Sequence, residues 1–327
     1  MNSTPSVADI GPTCMNVPKW GVLTAVGADA PAFLHKFCTN DVASLQPGQG
    51  CEAFFTDVKG KVLAHGIVLR DAEACHLLLP AANTADLQAH LERYVIREDV
   101  AFCDQSDDCT ICLLSSDRAC DALQIGDVAR AVPTATWSHV ALETNPCETE
   151  ARLVRAHALG ASAWLLIISQ NALPAWRRVI ETSQLNQPGD DEFEQARIAA
   201  GWPLWGVDFG PENLPQEVDR DVECISFRKG CYLGQETVAR LDAMGHVNRQ
   251  LRLIEFASPA TSEGMPKRGE LLSVAGAEAG VLTSVAPRPV EGRWRALAML
   301  KKNALAPGMA MQGPAGSAQV VDRPRTP

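Results

Sequence analysis

Arg228-Lys229-Gly230-Cys231-Tyr232-Leu233-Gly234-Gln235-Glu236-Thr237-Val238-Ala239-Arg240 is the stretch on which the reading turns. Ser226 and Phe227 end a short strand ahead of it, Gly230 supplies a permissive turn, and Gln235–Leu241 has helical composition. Cys231 is therefore expected at or just before a helix N-terminus. Amide dipoles there favour a thiolate, and Arg228 and Lys229 stand beside it in sequence. All three influences lower a thiol pKa, and the thiolate is the form that attacks electrophiles and ligates metals. The alternative is a small core cysteine beside a glycine that only turns the chain.

Outward from this stretch, residues 202–223 lack periodicity and contain Gly206, Gly210, Pro211 and Pro215. Irregular segments of that length inside a folded protein often carry function. Before them, a helix starting at Asp190 or Asp191 ends at Gly201, which suits a C′ position. Farther upstream, Asp29 is placed to cap a helix running to about Cys38, with Pro31 in its first turn. Glu52–Arg70 reads as two strands around a turn at Asp57–Gly60, Cys75–Leu79 as a third, and Val100–Cys103 and Cys109–Leu114 as two more. Asn83 can cap a helix from Thr84 to Val95. His139–Leu142, Ala151–Ala156 and Ala163–Ile168 are further strands, followed by a helix over Leu173–Ser183. From Gln250 onward, alternation at Leu251–Phe256, Glu270–Val274, Gly280–Val285 and Arg295–Leu300 predicts a small antiparallel barrel, with residues 1–12 and 313–327 loose. The fold class is α+β.

The chain has 327 residues, 46% of them apolar and 21% charged, which excludes disordered, collagen-like and coiled-coil chains. That length suits two or three domains. With 29 Lys+Arg against 39 Asp+Glu the net charge is −10, which argues against direct binding to nucleic acid or an anionic membrane. Eleven cysteines cannot all pair internally. The opening residues lack the pattern of a secretory signal, and the longest apolar run, within residues 161–168, is far below the ~20 residues of a membrane span. A cytoplasmic protein with free thiols is expected.

Lys229-Gly230-Cys231-Tyr232-Leu233-Gly234-Gln235-Glu236 resembles the signature K-G-C-[FY]-x-G-Q-E of the YgfZ family, folate-binding proteins related to the aminomethyltransferase (T-protein) of the glycine cleavage system. Arg197–Pro203 resembles the R-I-x-A-G-x-P that precedes this signature, Leu214–Glu217 the L-P-Q-E between, and Gly245–Leu251 the R-G-x-x-x-R-x-L that follows. Near the start, Phe33-Leu34, Thr39-Asn40-Asp41-Val42 and Thr56-Asp57 with Lys59-Gly60-Lys61 resemble the opening of the same superfamily; Gly280–Ser284 resembles the G-x-x-T-S of its barrel. The resemblance implies a three-domain T-protein-like ring with a C-terminal antiparallel barrel. Its parts would be residues 13–130, 131–249 and 250–327, the first two able to interleave. It implies a cavity for tetrahydrofolate or a related folate and support of iron–sulfur cluster assembly or repair, including in tRNA-modifying enzymes. Partners would be a folate-like small molecule and iron–sulfur proteins or their assembly factors. Cys231 and Lys229 would do the chemistry. Gly230, Tyr232, Gly234, Gln235, Glu236, Trp202, Asp208 and Arg249 would line the ligand site, and no metal site is expected. Alternatives are a folate-dependent aminomethyl transferase and an interaction scaffold with a vestigial cavity.

Two departures from the pattern matter. Where the transferases carry a catalytic Asp, this chain has Leu63-Ala64-His65-Gly66, without a carboxylate; neither Ala64 nor His65 supplies that acid–base chemistry. The usual pterin-pairing Glu falls at Ala199, leaving Asp208 and Glu217 as candidate acids. Other signals are weaker. Cys109-Thr110-Ile111-Cys112 lies on an expected strand, where the two thiols point to opposite faces, and Cys103 and Cys120 complete no familiar cluster spacing. The seven histidines are dispersed, and Gly276–Gly280 reads as a hairpin turn. Arg228, Lys229, Arg240, Arg249 and Arg252 are either solvated charge or a patch for an acidic tail or partner.

Overall fold

The computed structural model describes residues 11–144, 149–159, 162–257 and 265–324; the expected loose ends at 1–10 and 325–327 lie outside them. Two five-stranded antiparallel sheets and a closed six-stranded antiparallel barrel carry the fold. The first sheet runs in the order Gln49–Thr56, Val62–Arg70, Ala74–Pro80, Trp20–Val26, Ala101–Asp104. The second runs Cys14–Asn16, Cys109–Leu114, Trp164–Ser169, Thr149–Arg155, His139–Thr144. The opening strand thus belongs to the sheet built from residues 109–169.

Alternation along the strands explains the layering. On the first sheet, Ala53, Phe55, Ala64 and Val68 face the helices Ala30–His35 and Thr84–Glu92, where Phe33, Leu34, Leu87 and Leu91 are buried. The opposite face sets Val22, Ile67, Leu69 and Leu78 against Ile111, Leu113, Val154 and Leu165 of the second sheet. Each such side chain contributes about 1.5–3 kcal/mol of transfer free energy, so the two sheets are held face to face by apolar burial. Glu52, Phe54 and His65 lie on this inward face beside that core.

Four expectations change. No strand directly precedes the signature: Asp221–Cys224 is a short helix, and Ser226–Phe227 leads into a turn. The first helix stops at His35, not Cys38, because the carbonyls of His35, Cys38 and Asn40 all turn toward one ammonium, that of Lys229. The helix from Thr84 ends at Glu92, and Asn83 makes no side-chain cap; its amide donates to the Leu63 carbonyl. Residues 313–327 are not loose throughout. Gly316–Val321 is the strand that closes the barrel, pairing with Leu253–Phe256. Its only buried positions are Ala318 and Val320, too short an apolar signal to stand out. Among the described residues no helix is long and apolar enough to cross a membrane.

Candidate functional site

Lys229-Gly230-Cys231-Tyr232-Leu233-Gly234 forms a loop ahead of the helix Gln235–Met244 and is clamped by residues from the start of the chain. The buried Lys229 ammonium donates to the carbonyls of His35 (2.6 Å), Cys38 (2.6 Å) and Asn40 (2.8 Å) and lies 4.9 Å from the Tyr232 ring centre. Those three bonds use every proton an ammonium has. Burial pulls the Lys229 pKa below its ordinary value. The Leu233 amide donates to the Lys36 carbonyl (2.9 Å), and Thr56 Oγ1 donates to the Leu233 carbonyl (2.6 Å).

Gly234 closes the clamp. Its φ is +82°, and a Cβ there would fall 2.4 Å from the Asp57 carbonyl oxygen and 2.8 Å from Gly60 Cα. Gly60, at φ +76°, would clash in turn with Thr237. Only two glycines let these backbones meet. Thr39 Oγ1 donates to the Cys224 carbonyl (2.6 Å), and the Asn40 amide bridges the carbonyls of Glu52 and Glu223, both at 2.8 Å. Thr39-Asn40 therefore fastens residues 223–226 just ahead of the signature loop and receives Lys229 on the Asn40 carbonyl, while Thr56 and Gly60 hold the loop itself.

The clamp leaves Cys231 exposed. It stands three residues before the helix N-cap, Gly234, outside the first turn where amide dipoles act strongly. Lys229, its neighbour in sequence, is turned inward and makes no hydrogen bond to it. Gly230 is also exposed, and its φ lies outside the left-handed range. Tyr232 is buried beside Phe54, Val62 and Val238. Gln235 and Glu236 open the helix, Glu236 exposed on its first turn, and neither makes a side-chain hydrogen bond.

A second constellation occupies the centre. Glu52 receives two bonds from Arg220, one from Nε to Oε1 and one from Nη2 to Oε2 at 2.6 Å. His65 Nε2 is 2.7 Å from Oε1, and the Cys224 thiol donates to the same oxygen (3.0 Å). All four side chains are buried. Burial alone would raise the Glu52 carboxyl; Arg220 and His65 more than offset it and hold it well below the usual carboxylate range. Burial, then the Glu52 charge, pushes the Cys224 thiol far up. Glu52, His65 and Cys224 offer ligand atoms within 4.8 Å of one another. Arg220 already neutralises the carboxylate and puts a fixed positive charge where a cation would bind. Trp202 lies against this centre, 1% exposed, with the Arg220 guanidinium 4.5 Å over its ring and His65 and Trp137 each 5.7 Å away.

Asp208 and Arg249 sit at a cleft between residues 206–213 and the barrel. Asp208 is saturated: Oδ2 accepts from Arg197 (3.0 Å) and the Leu204 amide (2.9 Å), Oδ1 from Thr283 (2.7 Å) and Ser284 (2.6 Å). It fastens the barrel to the rest of the molecule. Arg249 donates to Glu217 Oε2 (3.2 Å) and the Glu212 carbonyl (3.1 Å). Gln216 donates to the Val238 carbonyl (2.7 Å), tying Leu214–Glu217 to the signature helix. Cys109 and Cys112 point into different cores, as strand alternation requires. Sequence reasoning missed Glu52, Arg220 and Cys224. The one local signal was a charged residue inside the apolar strand Cys51-Glu52-Ala53-Phe54-Phe55.

The GCVT N-terminal domain family matches residues 13–225. The chain belongs to this family. Relatives of the GCVT chain include an aminomethyltransferase of Rubrobacter xylanophilus, 26% identical over 282 residues that cover 85% of this chain and 73% of the relative. A tRNA-modifying protein YgfZ of Sodalis glossinidius is 27% identical over 241 residues, 73% and 70% of the two chains. Among solved structures, the glycine cleavage system aminomethyltransferase T of Bartonella henselae has the same fold, with a TM-score of 0.77, 17% identity, and coverage of 95% of this chain and 85% of that one.

Proposed function

We propose that this GCVT-family chain is a YgfZ-type accessory protein that supports iron–sulfur enzymes, tRNA-modifying ones included, through Cys231 and not through one-carbon transfer. The observation that carries this is the contrast at two positions. The signature loop is clamped so that its thiol faces solvent, while the stretch that matches the transferases' acid, Leu63-Ala64-His65-Gly66, has no carboxylate and its His65 is bound to a Glu52 that Arg220 already neutralises. A carboxylate so engaged is a poor proton acceptor.

A pterin needs a carboxylate with both oxygens open to its amino and ring N–H groups. Ala199 ends its helix with no such group, Asp208 and Glu52 are saturated, and Glu217 Oε2 already accepts from Asn213, the Leu214 amide and Arg249. These residues do not fit bidentate pterin pairing as they stand. The net charge of −10 supports protein partners over direct contact with nucleic acid. The division into units 13–130, 131–249 and 250–327, the first two interleaving through the sheet that joins Cys14–Asn16 and Cys109–Leu114 to Trp164–Ser169, and a cytoplasmic location belong to the same proposal.

A strain lacking the gene, complemented with wild type or Cys231→Ala, tests the reading. Iron–sulfur enzyme activity is expected to return with wild type only; full rescue by Cys231→Ala overturns it.

A further inference from the structure

We propose that Cys14 and Cys112 are a peroxide-sensitive thiol pair whose disulfide staples the first sheet to the second, at the two points where the chain passes between them. The inference goes beyond the reading of Cys231 and does not depend on it.

Strand register sets the pair. Cys14–Asn16 runs antiparallel to Cys109–Leu114, with Cys14 opposite Leu114 and Asn16 opposite Cys112. Cys14 and Cys112 are therefore diagonal neighbours on one face of the sheet. Both enter the core formed with Leu114, Trp164 and Leu166, at 5% and 7% exposure, and the two thiols hydrogen-bond to each other. Cys109 packs against the other core. The partner of Cys112 is thus not the cysteine of its own C-x-x-C but one 98 positions earlier.

The hydrogen bond makes the two sulfurs unequal. Cys14 donates in it, which raises the Cys14 thiol pKa; the same bond, against burial, lowers that of Cys112. Cys112 is the sulfur closer to a thiolate and so the one that meets an oxidant first.

Topology gives the bond its consequence. Every strand of the first sheet lies between Trp20 and Asp104; the chain leaves the second sheet after Asn16 and returns to it at Cys109. A bond from Cys14 to Cys112 closes a loop around the whole first sheet at its neck. The opening strand has three residues, held besides by the Cys14 amide on the Asn186 carbonyl and the Thr13 amide on Ser115 Oγ, both at 2.9 Å. Diagonal positions lie about 7–8 Å apart, slightly beyond the ~6.8 Å span of a relaxed disulfide, so closing the bond draws this short strand inward. A disulfide made against such resistance is readily reduced again, which suits a switch and not a permanent crosslink.

In the first step the Cys112 thiolate attacks one oxygen of hydrogen peroxide. The O–O bond breaks, and the departing hydroxide takes up the thiol proton as water, leaving a sulfenic acid. The Cys14 sulfur then attacks the sulfenic sulfur. The S–O bond breaks, hydroxide leaves with the Cys14 proton as a second water, and the S–S bond forms. Two thiols lose two electrons, and one peroxide becomes two waters. A dithiol reverses the bond by exchange.

The test treats the reduced full chain with hydrogen peroxide, alkylates it in denaturant and maps the peptides without reduction. A Cys14–Cys112 link is expected in the monomer, lost with dithiothreitol and in Cys112→Ser, and kept in Cys109→Ser. The linked chain should unfold at about 1 M more urea than the reduced one, a shift that Cys14→Ser removes. A map in which Cys103 and Cys231, both exposed, are oxidised while Cys14 and Cys112 remain alkylated overturns the pair on wild type alone. Linkage of Cys14 to Cys103 or Cys109 overturns it as well. Equal urea midpoints for the linked and reduced chains overturn the staple. None of these readouts involves iron–sulfur enzymes or folate, so failure here leaves the functional reading standing.

Discussion

Cys224 and Cys231 are seven positions apart and stand in opposite surroundings. Cys224 is fully buried, its hydrogen given to Glu52, in a centre where Arg220 and His65 complete the bonding. Cys231 is exposed, on a loop fastened by the Lys229 ammonium and by the backbone at Leu233 and Gly234, while the thiol itself makes no hydrogen bond. One region has charged groups and no access; the other has access and a rigid frame. A cluster of Cys, His and Glu is thus a poor guide to reactivity when its members satisfy one another, and a lone thiol is a better one when the chain is arranged to present it.

The widest effect expected from this contrast is at Arg220. Arg220→Ala leaves Glu52 buried without its counter-charge and should cost about 3–5 kcal/mol in denaturant unfolding. A loss below about 1 kcal/mol would show that the centre does not hold the fold as a satisfied network. Next is Lys229→Met, which strips the donor from three carbonyls while keeping a side chain of similar length. It should cost about 2–3 kcal/mol and abolish complementation although Cys231 is still present. A variant that is destabilised yet fully active would break the link between clamp and thiol.

The smallest effect lies between the two regions, at Asp221. Burial, then Asp219 and Asp242, pushes its carboxyl up to about 6, and Oδ1 has no partner. The folded pKa lies above the unfolded value of about 3.9, so its contribution to stability is full below that pH and is lost as pH rises through 6. Asp221→Asn should raise stability by about 1–2 kcal/mol at pH 7.5 and leave it unchanged at pH 4, as read by thermal unfolding at the two pH values.

What could be read from the chain follows the range of the forces involved. The turn at Asp57–Gly60, the helix ending before Gly201 and four of the barrel strands are written in neighbouring residues, and all are present. The Glu52–Arg220 pair spans 168 positions, and the Lys229 bonds span 189–194. No local pattern encodes such partners. Lys229 shows the consequence: proximity in sequence placed its charge beside Cys231, but strongly polar carbonyls at a helix end compete better for an ammonium than an exposed thiol does. The last barrel strand was hidden for a different reason, since Ala318 and Val320 carry too little apolar surface to mark it.

The interlocked glycines also bear on the order of folding. Gly60 and Gly234 meet across most of the chain, so the signature loop cannot take its shape until both ends of a long segment have been made and brought together, a closure whose entropy is charged late. A nascent or truncated chain can contain Cys231 without the frame that presents it. The geometry around that sulfur therefore reports that the first sheet is assembled, which couples competence of the thiol to completion of the protein.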